Sequence, residues 1–342
     1  MLTWTLLDHR LENMTTRSLD RCCGTGPDGT PWSAVVKTLQ PASLHPAFAE
    51  IPEQFRGDVL EDLDWRDEPR LYSSALGREM PAPLRMPAVF GVVTDGPEQV
   101  SIWMEDVADV EPWGLGRYRR TAEALGALAG RWSGEAAAAA FDLDGRDIGR
   151  LFFGKVCNHD LPLQADDSFW DDPVLRAVTE RSHRSDLLRL ADAVPRLLGG
   201  PLADASTGVC HGDATPDNLR EPGDGSIVAL DWSYGHVGAI GADLGQLVAG
   251  RFESGAAADE DVATVAEVVL TGYLEGLDRV GRTVDREQVR AAFALHLAVR
   301  SAFSALRLDH RGDLCDDDRR RLLAPRARLA RFAIDLGLQA AG

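Results

Sequence analysis

Lysine is almost missing from this 342-residue chain: Lys37 and Lys155 are the only two. Lys and Arg together number 36 against 54 Asp and Glu, a formal net charge of −18. A chain so poor in cations lacks the basic face that neutralises nucleic-acid phosphates, which argues against a nucleic-acid partner. The excess carboxylate either serves solubility or draws a cationic ligand. Long apolar runs are absent too. None approaches the roughly 20 residues of a membrane span, so no membrane partner is expected. Residues 1–13 carry Asp8 and Glu12 and lack the basic start and apolar core of a secretory signal. Cysteine is sparse and odd in number (Cys22, Cys23, Cys157, Cys210 and Cys315), with no CxxC pair. Neither a disulfide framework nor a zinc site is expected, and a reducing cytoplasm is the expected compartment. His159, His183, His211, His236 and His296 show no HxH or HExxH spacing, which leaves little for a metal hydrolase. There is no internal repeat.

What is present divides by character. Ser18–Cys23 and Trp32–Leu39 read as strands of a hairpin across the turn formers Gly24–Gly29. Pro41–Pro52 reads as irregular, and Asp67–Leu76 as a helix capped by Asp67, with Pro69 tolerated in its first turn. Ala88–Val93 and Val100–Met104 read as two more strands. After Val107 the apolar spacing turns helical, over Arg117–Trp132, Asp172–Leu198 with a break at Pro195, Leu244–Ala249, Asp259–Val280, Arg286–Leu306 and Arg319–Leu338. The Ala136–Ala140 run reads as a helix tail or loose connection. This is an α+β chain: a β-rich segment 1–104, a connector 105–108 and a helical segment 109–342.

One stretch carries chemistry. Cys210-His211-Gly212-Asp213-Ala214-Thr215-Pro216-Asp217-Asn218 is followed by the short apolar strand Ile227–Leu230 and then Asp231-Trp232. Alone, His-Gly-Asp is an ordinary turn and Asp217-Asn218 an ordinary helix cap. Together, HGDxxxxN and a strand ending in Asp-Trp place two carboxylates and an amide at the spacing that phosphoryl transfer needs. Asp213 can accept a hydrogen bond from an attacking hydroxyl. Asn218 and Asp231 can hold Mg²⁺, which takes few protein ligands and completes its shell with phosphate and water.

These residues resemble the catalytic loop and metal-binding Asp of the aminoglycoside phosphotransferase and choline kinase family. The resemblance implies a bilobal protein-kinase-like fold, with a small β-rich nucleotide-binding lobe and a larger helical lobe. It implies Asp213 as the catalytic Asp, Asn218 and Asp231 as the Mg²⁺ ligands, and a mainly structural role for His211. Asp243 matches a further Asp of the family that props the catalytic loop; as a bare residue it reads as an N-cap for the helix from Leu244. Lys37, a rare lysine on the most β-prone strand, is the expected phosphate-binding cation. Its expected partner is Glu68, which fits the family's Glu-x3-Tyr pattern with Tyr72, although Pro69 puts it at the very start of the helix; Glu61 is the fallback. Glu105 to Val107 resemble the hinge that reads a purine through main-chain groups. The phosphate-covering loop near Asn13–Arg17 lacks glycine, so Thr15, Thr16 and Ser18 hydroxyls would have to help there.

The implied reaction moves the γ-phosphoryl group of Mg²⁺-bound ATP (or GTP) to a hydroxyl of a small polar molecule. The charge balance and the resemblance favour an aminoglycoside or related cationic antibiotic. Glu253, Asp309, Asp313 and Asp316–Asp318 are acidic candidates for attracting it, although each by itself reads as a solvated helix-end charge. A biosynthetic sugar or amino-alcohol kinase, choline- or homoserine-like, is the rival within the same chemistry. A nucleotide-binding pseudokinase is the rival outside it.

Overall fold

The computed structural model describes residues 2–7, 13–143, 145–200, 202, 204–307 and 314–342. The chain divides into two compact units. The first is Met1–Met80 with Arg85–Glu111 and Arg220–Gly235; the second is Pro81–Leu84, Pro112–Leu219 and His236–Gly342.

The first unit is built on a five-stranded antiparallel sheet in the order Thr3–Leu6, Thr16–Thr25, Pro31–Leu39, Val100–Glu105, Val89–Thr94. The hairpin turns where Gly29 takes a φ of 84°, a conformation that costs a residue without Cβ little. Lys37 sits near the end of its strand, between Leu19 and Ile102 on the neighbouring strands. Leu39, Val100, Ile102 and Met104 alternate onto one face and close over Trp65, the period-2 signature of a sheet with one covered side. A helix at Glu53–Asp62 and a short one at Asp67–Ser73 follow the sheet's third strand in the chain. The edge strand Thr3–Leu6 and the helix Glu53–Asp62 were not expected from the sequence. Four residues of Thr-Trp-Thr-Leu give too short an alternation, and the Glu53–Asp62 helix has little apolar face of its own.

The second unit is helical. Leu115–Arg131 packs on Val262–Arg279 through glycines at the contact. A Cβ on Gly126 would stand 2.1 Å from the Tyr273 carbonyl oxygen, and one on Gly276 would stand 2.0 Å from that of Glu123. The two backbones therefore meet at a distance only glycine allows. The helix His183–Gly199 runs through Pro195 instead of breaking there. Pro195 itself is exposed, while Val194 and Leu197 on either side are buried. Their burial offsets the lost backbone hydrogen bond. The alanine run belongs to a helix of its own, Gly134–Phe141, begun by Ser133 whose Oγ accepts the Ala136 amide hydrogen. Among the described residues, no helix is long and apolar enough to cross a membrane.

Candidate active site

The first unit holds a buried ion cluster. Lys37 Nζ lies 2.7 Å from Glu68 Oε2 and 2.9 Å from Asp231 Oδ1. Lys37 and Glu68 are buried; Asp231 keeps about a third of its side chain exposed, 32%. Three sequence-distant segments meet here. The strand supplies Lys37. The first turn of the helix Asp67–Ser73 supplies Glu68, with Pro69 accommodated where no backbone donor is needed. The short strand Ile227–Ala229 leads into Asp231, whose φ of 57° is left-handed, a region Asp tolerates better than most residues. Trp232, fully buried, anchors the bend by donating its indole N–H to the Ala229 carbonyl at 2.9 Å. Glu61, the fallback partner, is exposed on another helix.

Burial penalises the Lys37 ammonium, but Asp231 and then Glu68 more than offset it, so its pKa lies above the ordinary lysine value. Burial pushes Glu68 up to about 7, against the pull of Lys37. Tyr72, four residues on, is pushed up mainly by burial and then by the charge of Glu68.

The expected hinge and phosphate loop also lie in this unit. Glu105 is held by both guanidinium nitrogens of Arg85, at 2.6 and 2.8 Å, and that pairing with Arg85 lowers its pKa. Its amide donates to the Ala88 carbonyl. The buried Val107 gives its carbonyl to Arg220 at 3.1 Å. Thr16 is buried at the start of its strand with its amide on the Asn13 carbonyl. The Thr15 hydroxyl donates to Asn13 Oδ1 at 2.8 Å. These hydroxyls thus sit within a tight turn organised by Asn13.

The second unit carries the loop after the strand Thr207–Cys210. His211 is fully buried, and its Nδ1 accepts the Asp213 amide hydrogen at 3.2 Å. Gly212 takes a φ of 81°, which turns the chain between them. Asp243 occupies the N-cap position of the helix Leu244–Ser254, yet its side chain does not cap it. The carboxylate instead receives the His211 amide at 2.9 Å and the Gly212 amide at 2.8 Å.

Asp213 itself is surrounded by donors. Asn218 Nδ2 reaches its Oδ2 at 3.1 Å and its main-chain carbonyl at 2.9 Å. Gln246 Nε2 reaches Oδ1 at 3.2 Å, and Arg300 Nη2 reaches the same oxygen at 2.6 Å. Gln246 and Arg300 were missed in the sequence. Gln246 sits on an apolar helix with nothing to single it out, and Arg300 is 87 residues from Asp213 in a chain rich in arginine. Because Asn218 turns its nitrogen to Asp213, its side-chain oxygen is left as an acceptor. An amide oxygen there and the second carboxylate oxygen of Asp231 are the hard donors Mg²⁺ prefers. Among the described residues no cluster of three or more His, Cys, Asp or Glu is placed to hold a metal alone. A cation held by Asn218 or Asp231 would complete its shell with phosphate and water. The structure thus gathers Lys37, Glu68 and Asp231 in the first unit, and Asp213 and Asn218 in the second.

The acidic candidates are largely neutralised. Asp316, Asp317 and Asp318 each pair with the arginine three residues on, in the first turns of the helix Asp316–Ala340. Burial pushes the Glu253 carboxyl up, against the charges of Arg326 and Arg300. Asp309 and Asp313 lie outside the described residues.

A model of the phosphotransferase enzyme family matches residues 74–282, a span that contains Asp213, Asn218 and Asp231. No curated protein matches the chain in sequence. Several solved structures share its fold at low identity. An aminoglycoside phosphotransferase from Alicyclobacillus acidocaldarius is 17% identical with a TM-score of 0.54, over 94% of this chain and 90% of its own. A spectinomycin phosphotransferase, solved with ADP and spectinomycin, is 12% identical with a TM-score of 0.54, over 99% and 93%. A choline kinase from Streptococcus pneumoniae is 15% identical with a TM-score of 0.51, over 97% and 93%.

Proposed function

The chain belongs to the phosphotransferase enzyme family, and we propose that it moves the γ-phosphoryl group of ATP or GTP to a hydroxyl of a small polar molecule, an aminoglycoside or related antibiotic. Asp213 accepts the hydrogen bond of that hydroxyl as its oxygen bonds to phosphorus and the bond to the β-phosphate bridging oxygen breaks. Lys37 holds the α/β-phosphates, and Glu68 fixes Lys37. Asn218 and Asp231 are the residues that would hold Mg²⁺, which supplies charge neutralisation at the phosphates. Main-chain groups between Glu105 and Val107 read the purine, using those left after the bonds to Ala88 and Arg220. Thr16 and its neighbours form the turn beside the phosphates.

The observation that carries this reading is Lys37. One of only two lysines in the chain is buried near the end of a sheet strand, fixed at 2.7 Å by Glu68 and at 2.9 Å by Asp231. A buried ammonium with two carboxylates is a costly arrangement for stability alone. It suits a group kept ready for phosphate. The five free cysteines support a reducing, cytoplasmic setting.

The test is a panel of aminoglycosides, other hydroxylated antibiotics, sugars and amino alcohols, each incubated with Mg·ATP or Mg·GTP. The expected result is nucleotide consumption with one phosphoryl group added to the acceptor by mass. No transfer to any acceptor, together with no rise in melting temperature under Mg·ATP or Mg·GTP, would defeat it. One observation favours a less cationic acceptor, such as a sugar or amino alcohol: Asp316–Asp318 are paired with arginines instead of standing open.

A further inference from the structure

The catalytic-loop aspartate has its hydrogen-bonding capacity unevenly filled. A carboxylate offers about two lone-pair directions on each oxygen. On Asp213, Oδ1 takes both Arg300 Nη2 at 2.6 Å and Gln246 Nε2 at 3.2 Å. Among the described residues, Oδ2 takes one donor, Asn218 Nδ2 at 3.1 Å. Among them, the remaining direction is on Oδ2.

Arg300 is itself fixed on several sides. It lies in the π-helical turn Ala298–Ala302 that follows the helix Arg286–Leu297. Its guanidinium stacks over the Phe152 ring, 4.2 Å from the centroid. Its other terminal nitrogen donates to the Gly212 carbonyl, the residue before Asp213. Only 8% of its side chain is exposed, against 24% for Asp213. A planar guanidinium with one arm on the loop backbone and the other on the carboxylate fixes both position and plane of the acid. Lysine could supply the charge but not the fork.

We infer that Arg300 is the positioning residue of the reaction: it locks Asp213 through Oδ1 and so dedicates Oδ2 to the acceptor hydroxyl. This rests on the phosphotransfer reading of Asp213 given above and adds to it which oxygen faces the acceptor and what holds it there. Phe152 is the platform that keeps the guanidinium flat against the loop.

The experiment compares wild type, Arg300→Ala, Arg300→Lys and Asp213→Ala. Turnover is measured with the acceptor found in the panel, or as Mg·ATP hydrolysis where water is the only acceptor; nucleotide affinity and a crystal structure of Arg300→Ala complete the set. Arg300→Ala is expected to lose about 100-fold in kcat, the scale of a misplaced catalytic group, with nucleotide affinity unchanged. Arg300→Lys recovers part of the loss. Added guanidinium chloride, at concentrations too low to unfold the protein, raises kcat of Arg300→Ala but not of Asp213→Ala, because it refills the space over Phe152. The Arg300→Ala crystal structure shows the Asp213 carboxylate rotated. Wild-type kcat in Arg300→Ala would overturn the inference. So would a loss that guanidinium does not reverse, or an Asp213 left in place in the variant crystal. If wild type transfers phosphoryl to nothing, the proposed function fails, and the Asp213 orientation in the variant crystal still decides the role of Arg300. If Arg300→Ala does not fold, Arg300→Lys is measured in every arm by the same criteria.

Discussion

The Tyr72 phenol oxygen accepts the amide hydrogen of Asp231 at 3.1 Å, although 159 residues separate the two. The same phenol stands one helical turn after Glu68 and feels its charge. Tyr72 thus ties the backbone of Asp231 to the helix that carries Glu68, and both acids hold Lys37. The left-handed φ of Asp231 is stabilised by this bond, since the amide it satisfies would otherwise be left without its acceptor at a strained residue.

Removing only that oxygen isolates its effect. Tyr72→Phe keeps the ring and strands the Asp231 amide, at a cost of about 1–3 kcal/mol in stability. Affinity for Mg·ATP should fall with it, because Asp231 loses its fixed orientation, while nucleotide affinity without Mg²⁺ should change little. Thermal melts and calorimetric titration with and without Mg²⁺ check this. Equal losses in both titrations would mean that Tyr72 acts on the whole unit instead of on Asp231.

Asp243 offers a sharper stability test. Its carboxylate is the acceptor for two consecutive buried amides, His211 and Gly212. Asp243→Ala leaves both unsatisfied and should cost on the order of 2–5 kcal/mol. Asp243→Asn retains one acceptor oxygen and should recover a fraction of that. Turnover should fall further than nucleotide affinity, since the loop that places Asp213 loosens. A wild-type melting temperature in Asp243→Ala would show that water replaces the carboxylate.

The two acids of the proposed chemistry should separate cleanly. Asp213→Ala is expected to lower turnover by about 100-fold or more while Mg·ATP binding persists. Asp231→Ala should weaken Mg·ATP binding as well, because it removes an anionic oxygen and one of the two carboxylates on Lys37. Wild-type turnover in Asp213→Ala would mean that another group accepts the hydroxyl proton.

The strands around Lys37 were legible because β-branched residues alternate there with little interruption, and HGDxxxxN was legible because its chemistry is concentrated in nine residues. Lys37 and Glu68 meet at 2.7 Å, the pairing that the Glu-x3-Tyr resemblance implied. What the sequence hid were relationships closed by distant segments: Arg300 on Asp213, Tyr72 on Asp231, Gln246 on an otherwise apolar helix. Each joins residues whose neighbours in sequence give no hint of one another. Pro195 misled for a related reason. A local rule marked a break, and the burial of Val194 and Leu197 overrode it. The acidic cluster Asp316–Asp318 was legible as helix-end charges, and the arginines three residues on that pair with it are local as well.

Acid sensitivity follows from two histidines, opposed by two glutamates that burial raises, Glu68 and Glu253. Burial, followed by Arg331, holds His183 down to about 4, and burial, followed by His236 and Arg300, holds His296 down to about 3. In the unfolded chain both take a proton near 6.5. Their contribution to stability is therefore complete above pH 6.5 and is lost as pH falls toward 4 and 3. Glu68 runs the other way. Its folded value of about 7 lies above its unfolded value, so the folded state holds a proton the unfolded chain has released, and its contribution is lost as pH rises from about 4.5 to 7. Between pH 5 and 6.5 the two histidines raise stability with pH while the two glutamates lower it. Each net proton contributes about 1.4 kcal/mol per pH unit. Glu68→Gln removes one of the opposing contributions and should make the slope of stability against pH more positive over that range. Urea unfolding at half-unit steps from pH 5 to 8, on wild type and Glu68→Gln, measures both slopes. A variant slope no more positive than wild type would mean that Glu68 is already ionised in the folded protein across that range, with Lys37 fully balancing its burial.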